Sequence, residues 1–271
     1  MALRVFIGFD SREAECSDIL AYSLRVHSSI PLDIRYLKLT ELDFTRKMDS
    51  LQSTEFTYTR FLVPHLCRYE GKAIFMDCDM LCLGDIAELD ALDMRDYALR
   101  VVQHDYRPAA TTKMDGKAQT VYPRKNWSSV VLWNCGHPSN RAVTPEFVNT
   151  ASAMELHRFQ WLKDEEIGSL DVRWNWLVGE YADPPADVHN VHWTVGGPYF
   201  HEYKNADFAK EWFALGRASS LKEPGDYLTF DLAGQPIFVI RDQDGTEAFE
   251  RGPGCLDVRR HPAQGQQAQQ H

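Results

Sequence analysis

The chain has 271 residues, of which 44% are hydrophobic and 25% charged, and it carries a formal net charge of −10 with a pI near 5.5. These values fit a globular chain with a sizeable core, built as one large domain or two small ones. The acidic balance, with no long Lys/Arg cluster to offset it, argues against a nucleic-acid partner and leaves open an anionic small molecule held through a metal.

Six cysteines, Cys16, Cys67, Cys78, Cys82, Cys135 and Cys255, form no CxxC pair and no dense framework. The N-terminus passes from Met1 straight into RVFIGFD (4–10). The expectation is a cytoplasmic protein with reduced thiols. No stretch reaches the ~20 apolar residues that span a bilayer, so no transmembrane segment is expected.

In chain order, RVFIGFD is an apolar run ending in a polar turn, and Ile19, Leu20, Leu24 and His27 fit helical spacing within 11–29. LDIRYLKL (32–39) alternates like a strand, so strand, helix and strand open an α/β domain. Residues 61–69 read as a helix with Pro64 in its first turn, leading through Glu70-Gly71 into the strand KAIFMD (72–77). YALRVVQH (97–104) and SSVVLWN (128–134) read as further strands, separated by a polar loop over 105–125. Thr144-Pro145 supplies an N-cap and first-turn proline for one helix over 144–157. A Trp-rich stretch (171–181) and an alternating one (187–200) follow. The region 205–251 holds one helix and a hairpin, YLTFDL and PIFVIRD, turning at Ala233-Gly234-Gln235. The tail ending AQGQQAQQH lacks apolar content and is expected to be disordered. The domain reading is 1–253, with a core over 1–204 and an extension over 205–253, then a tail over 254–271.

Asp77 and Asp79 flank Cys78 where an apolar run ends. On an extended strand, residues i and i+2 face the same side, so both carboxylates can face one cavity while Cys78 packs behind them. Two like charges that close require a cation, a proton or open water between them. In an open α/β sheet, ligands also bind at the carboxyl ends of strands. A hard ion such as Mn²⁺ or Mg²⁺ suits this pair and leaves positions for diphosphate oxygens. A tight turn is the alternative. Asp242-Gln243-Asp244 repeats the spacing, and its following Gly245 marks a turn, so spacing alone does not identify a site.

The segment KAIFMDCDMLCLGDIAEL resembles the metal-site segment of family-8 glycosyltransferases, the glycogenin and lipopolysaccharide galactosyltransferase group. Four further segments fall in the family's order: RVFIGFD, TEFTYTRFLVPHL, DEEIGSLDVRWNWLVGEY and VHWTVGGPYF. Together they cover roughly the first 200 residues. The resemblance implies a single GT-A domain, α/β and Rossmann-like, with a mixed central sheet flanked by helices. It implies that Asp77, Asp79 and His192 bind Mn²⁺ or Mg²⁺, and that Gly8, Phe9 and Asp10 lie near the base and ribose. It also places Arg60 and Asp77 against the donor. The implied activity is transfer of a hexose, with retention, from a nucleotide-diphosphate sugar to a hydroxyl acceptor. UDP is the carrier, and a glycan, lipid-linked sugar, protein or small metabolite is the acceptor.

Three departures from the family pattern stand out. The lysine after the family's late glycine is absent, so the backbone amides of Gly196 and Gly197, or Lys204, take its place at the diphosphate. Trp127-Ser128-Ser129 replaces Asn-Ala-Gly. The acidic motif's glutamine becomes Glu165, with Asp164 expected to position the donor sugar and Glu165 to support the developing cation. A solvated acidic helix start is the other reading of that segment.

Two rival functions fit parts of the sequence. A haloacid-dehalogenase-like phosphatase also ends an apolar strand in Asp-x-Asp, and GDYLTFD with Asp226 and Asp231 imitates its late acidic motif. Leu81 and the polar run SSLKEP depart from that pattern. A non-catalytic nucleotide-sugar or carbohydrate-binding protein on a transferase scaffold is the second rival.

Overall fold

The first apolar run forms strand β1 (Leu3–Gly8), in which Val5 and Ile7 are fully buried. In the computed structural model, residues 2–47, 52–105, 123–181, 184–218, 224–225, 227–232, 235–241 and 247–251 are described. Helix α1 (Ala14–His27) follows, burying Ile19, Leu20 and Leu24 as the spacing anticipates. Strand β2 (Leu32–Leu37) then pairs parallel with β1, Leu3 opposite Leu32. A 3-10 turn over Thr59–Leu62 feeds α2 (Val63–Leu66), with Pro64 in its first turn, and the chain enters β3 (Lys72–Met76), parallel to β1.

After β3 come β4 (Met80–Cys82), α3 (Ala87–Asp90), β5 (Leu99–Val102) and β6 (Val130–Asn134). The single helix expected over 144–157 is two: α4 (Pro145–Thr150) and α5 (Ala153–His157). Ala151 leaves the helical region with ψ of 148°, and Ser152 starts a new helix through a capping box with Glu155. The Ser-x-x-Glu signal outweighs the continuous apolar spacing here. Strands β7 (Ile167–Leu170), β8 (Trp176–Leu177) and β9 (Asn190–His192) complete this part of the chain.

The main sheet has the order β2-β1-β3-β6-β5-β7, with only β6 antiparallel to its neighbours, so it is a mixed sheet. A second, three-stranded sheet has the order β4-β9-β8. α1 is tied to it by a hydrogen bond from the Cys82 amide to Ser23 Oγ, 3.0 Å. Hence β3 and β4, continuous in sequence, belong to different sheets, and Asp77-Cys78-Asp79 is the step between them.

The chain divides into two compact units between Gly197 and Pro198, seven residues before the expected core boundary at 204. The second unit contains α6 (Ala209–Ala218) and an antiparallel sheet of β10 (Tyr227–Leu232), β11 (Gln235–Arg241) and β12 (Glu247–Arg251). β10 and β11 are the expected hairpin, closing at Leu232 opposite Gln235. Asp242-Gln243-Asp244, Cys255 and the tail over 254–271 lie outside the described residues. The other five cysteines are buried free thiols. Among the described residues, no helix is long and apolar enough to cross a membrane.

Candidate active site

Three elements meet at the step between the sheets. Asp77 leaves β3 with its amide still on the ladder, donating to the Ser129 carbonyl at 2.9 Å. Asp79 precedes β4, and the register of β4 against β9 sets Met80 opposite His192. A further bond, Trp193 amide to Asp79 carbonyl at 3.1 Å, extends that ladder by one residue and seats His192 beside Asp79. One ligand atom from each of Asp77, Asp79 and His192 lies within 4.8 Å of the other two. Cys78 points the other way, fully buried, with Sγ 3.5 Å from Glu13 Oε2.

The environment of the two carboxylates is short of donors. Oδ1 of Asp77 and Oδ1 of Asp79 are both enclosed, and each faces one side-chain nitrogen. Asp77 Oδ1 lies 2.8 Å from Arg60 Nη1, and Asp79 Oδ1 lies 3.3 Å from His192 Nε2. Arg60 compensates only Asp77, and enclosing a second carboxylate, Asp79, beside it is costly unless a further cation joins them. This donor set, two carboxylates and an imidazole, fits a divalent ion of the Mn²⁺ or Mg²⁺ type.

Arg60 is 6% exposed and rests against the rings of Phe56 and Phe75, each 5.1 Å from its guanidinium carbon. Its Nη1 also donates to the Ser128 carbonyl at 2.9 Å. Trp127-Ser128-Ser129 therefore serves as backbone anchor for both Arg60 and Asp77. Ser128 Oγ lies 2.9 Å from His157 Nδ1.

Burial pushes the Asp77 carboxyl up to about 6; the Arg60 guanidinium opposes this, and the Asp79 charge adds to it. Burial, then the charges of Asp79 and Asp10, push Glu13 up to about 7. Both folded-state values lie above the ordinary carboxylate values of 3.8 and 4.5. The contribution of each group to stability is thus fully present below its unfolded value and lost as pH rises through its folded one. Asp77 must shed its proton to bind a cation. Mn²⁺ affinity is accordingly expected to be flat above about pH 7 and to fall roughly tenfold per pH unit well below pH 6. Calorimetric titrations between pH 5 and 8 check this; a flat profile across that range contradicts it.

At the end of β1, Gly8 passes so close to Phe56 that a Cβ there would sit 2.4 Å from its Cδ2, which only glycine permits. Phe9 is half-buried, its ring 6.1 Å from that of Tyr36. Asp10 is completely buried. It accepts from Arg12 Nη2 at 2.7 Å, from the Arg12 amide at 3.0 Å and from the Glu55 amide at 3.2 Å. Burial alone would raise the Asp10 carboxyl, but these bonds outweigh it and hold it below its ordinary value. Asp10 is thereby locked in place, and its amide bonds orient 52–55 beside β1.

The structure does not bring Asp164 and Glu165 to this cluster. The 3-10 turn over Asp164–Glu166 enters β7 at its amino end, in the transverse row containing Ala98, Asn134 and Lys72. Asp77 lies five residues farther along the β3 direction than Lys72, a separation of about 16 Å along the strand direction alone. Glu165 is exposed, Asp164 is 87% exposed and pairs with Arg124, and Glu166 bonds Ser139 Oγ beyond the far end of β6. The carboxyl end of β7 instead delivers Asn175, absent from the candidates drawn from sequence. Its signal was a lone amide between Trp174 and Trp176, since a buried polar group in such a setting must find partners. Trp174 and Trp176 are buried, whereas Trp127 retains partial exposure. Gly196 has φ of 146°, a glycine conformation, and Gly197 closes the first unit. Lys204 lies in the second unit.

Residues 13–136, which include Arg60, Asp77 and Asp79, match the profile of glycosyl transferase family 8. Protein CDI of Arabidopsis thaliana is 49% identical over 217 residues, covering 77% of this chain and 84% of that protein. The chain belongs to glycosyl transferase family 8. As a member of that family it is a glycosyltransferase, and its rival reading as a phosphatase is displaced.

Solved structures of the family-8 type agree in fold. The bifunctional glycosyltransferase WbbM superposes with a TM-score of 0.56 at 15% identity over 79% of this chain, which spans about half (49%) of WbbM. The galactosyltransferase LgtC, solved with donor and acceptor sugar analogues, superposes with a TM-score of 0.53 at 15% identity, covering 82% of this chain and 98% of LgtC. The fold of this family-8 chain is thus the GT-A type expected from its motifs.

Proposed function

We propose that this chain transfers a hexose from a nucleoside diphosphate sugar, with UDP as carrier, to a hydroxyl acceptor, and that Asp77, Asp79 and His192 hold a divalent cation, Mn²⁺ or Mg²⁺, at the diphosphate. The observation carrying this reading is the convergence of two enclosed carboxylate oxygens and an imidazole nitrogen of His192 within 4.8 Å of one another, with one guanidinium, that of Arg60 on Asp77, set against the two carboxylates. When bound, such an ion supplies Lewis-acid stabilisation of the departing diphosphate.

The remaining work falls to the chain. Gly8, Phe9 and Asp10 sit at the carboxyl end of β1, where a base and ribose would lie in an open α/β sheet. Arg60, fixed by the Ser128 carbonyl and two aromatic faces, holds Asp77 in place. The Gly196 amide is already engaged by the Trp193 carbonyl at 3.2 Å, so of the two glycines it is the Gly197 amide that is offered to diphosphate oxygens, a role that a glycine backbone can fill without a lysine. The acceptor class is a hydroxyl compound, as the family's chemistry requires.

Retention is the stereochemical outcome proposed. The position of Asp164 and Glu165 at the opposite end of β7 favours a route that takes no nucleophile from that segment. Glu165→Gln is expected to keep turnover within about twofold, the ordinary cost of an exposed surface change. A loss of orders of magnitude would return Glu165 to the mechanism.

A thermal-shift screen of nucleotide sugars, each with and without Mn²⁺, tests the whole reading. The true donor raises apparent stability only with the ion present, by about 2.7 kcal/mol at a hundred times its Kd. If no nucleotide sugar gives a metal-dependent shift, the reading fails.

A further inference from the structure

Asn175 is fully buried and bonds His192 through its amide oxygen, with Oδ1 2.8 Å from Nδ1 of the ring. Its amide nitrogen donates to the Asn126 carbonyl at 3.3 Å. A backbone carbonyl can only accept, so that contact fixes the orientation of the amide and leaves Oδ1, also only an acceptor, facing the ring. Nδ1 of His192 must therefore carry a hydrogen. In a neutral imidazole the other nitrogen, Nε2, is then bare. Nε2 is the atom that faces Asp79 Oδ1 at 3.3 Å. Two buried acceptors confront each other there, an arrangement that a cation between them resolves.

We propose that Asn175 is a positioning residue for the metal: it sets the tautomer and ring angle of His192 so that the Nε2 lone pair points at the ion. This rests on the cation site proposed above and assigns to it a residue outside the ligand set. The anchor is rigid at both ends. His192 is held by the β4–β9 register, and the His192 carbonyl also accepts from the Val178 amide at 3.0 Å, tying the strand that follows Asn175 to the strand that bears the histidine. Asn126, which orients Asn175, lies two residues before the Ser128 carbonyl that anchors Arg60. A single loop thus steadies the far side of two of the three ligands, His192 through Asn175 and Asp77 through Arg60.

The test compares Mn²⁺ binding by the wild-type chain, Asn175→Leu and Asn175→Asp, read from the EPR signal of the free hydrated ion. Thermal unfolding without metal is measured in parallel. Asn175→Leu is expected to weaken Mn²⁺ binding 10- to 100-fold, the usual loss when a partner of a ligating histidine is removed. Asn175→Asp restores an acceptor at Nδ1 and is expected to recover affinity to within about threefold of wild type, although a buried carboxylate costs it stability. A merely structural asparagine predicts the reverse order, with the aspartate variant no better than the leucine one, and that result overturns the proposal. Equal binding by wild type and Asn175→Leu also overturns it. Absence of Mn²⁺ binding by the wild-type chain instead overturns the cation site itself. If neither variant folds, the ¹⁵N spectrum of His192 in the Mg²⁺-loaded wild-type protein decides: hydrogen on Nδ1 supports the proposal, and hydrogen on Nε2 refutes it.

Discussion

Asp79→Asn is expected to lower turnover by about 10²- to 10⁴-fold, equivalent to the several kcal/mol that a bound ion contributes to a developing anion. Mn²⁺ affinity should fall with it. The asparagine keeps the shape of the aspartate, and the backbone bond from Trp193 to the residue-79 carbonyl does not depend on the side chain. Without metal, the variant should be no less stable than wild type at pH 7. The Asp79 charge is one of the influences that raise Asp77 and Glu13 above their ordinary values, so its removal relieves both. Reduced turnover with an undiminished metal-free melting temperature separates a ligand from a structural carboxylate. Full turnover in the variant would remove Asp79 from the site.

Arg60→Met carries the largest expected cost in stability. Methionine can pack against Phe56 and Phe75, but it leaves the buried Asp77 without its cation, a loss of about 3–5 kcal/mol for a broken buried pair. The sign with pH follows from Asp77. Losing Arg60 removes an influence that lowers its pKa, so the folded-state value moves further above 6 and the penalty grows as pH rises toward 8. At pH 5 Asp77 takes up a proton and most of the penalty disappears. Adding Asp77→Asn to Arg60→Met removes both partners and should recover much of the lost stability. Denaturant unfolding at pH 5 and pH 8 checks all three statements. A pH-independent loss, or no recovery in the double variant, would mean that Arg60 acts through packing alone.

Most of the architecture was legible because periodicity reports burial. β1, α1, β2, β3 and β6 follow from apolar spacing, and the hairpin of β10 and β11 follows from its turn residues. Two errors have local causes. The helix over 144–157 breaks because the capping box at Ser152 supplies a better start than continuation past Ala151. β4 was hidden in the apolar run after Asp79, because hydrophobicity does not reveal that a chain changes sheets.

The site was legible in part. Asp77 and Asp79 stood out as charges ending an apolar strand, while His192 depended on the resemblance, since 113 residues separate it from Asp79 and only the β4–β9 register joins them. The acidic trio at 164–166 misled because sequence proximity to a motif says nothing about which end of a strand a turn occupies. Strand direction, fixed by tertiary pairing, decided that question.

The step from one sheet to the other has a mechanical consequence. Asp77 rides on the end of the six-stranded sheet, whereas Asp79 and His192 ride on the three-stranded one. An ion gripping all three, as proposed, would be a clamp across a seam, and filling the site would stiffen the joint between two otherwise separately laddered sheets. Amide exchange at Val191 and His192 should slow when the ion binds, even though neither backbone touches it. A substitution that loosens that seam would weaken ion capture while leaving every ligand in the chain.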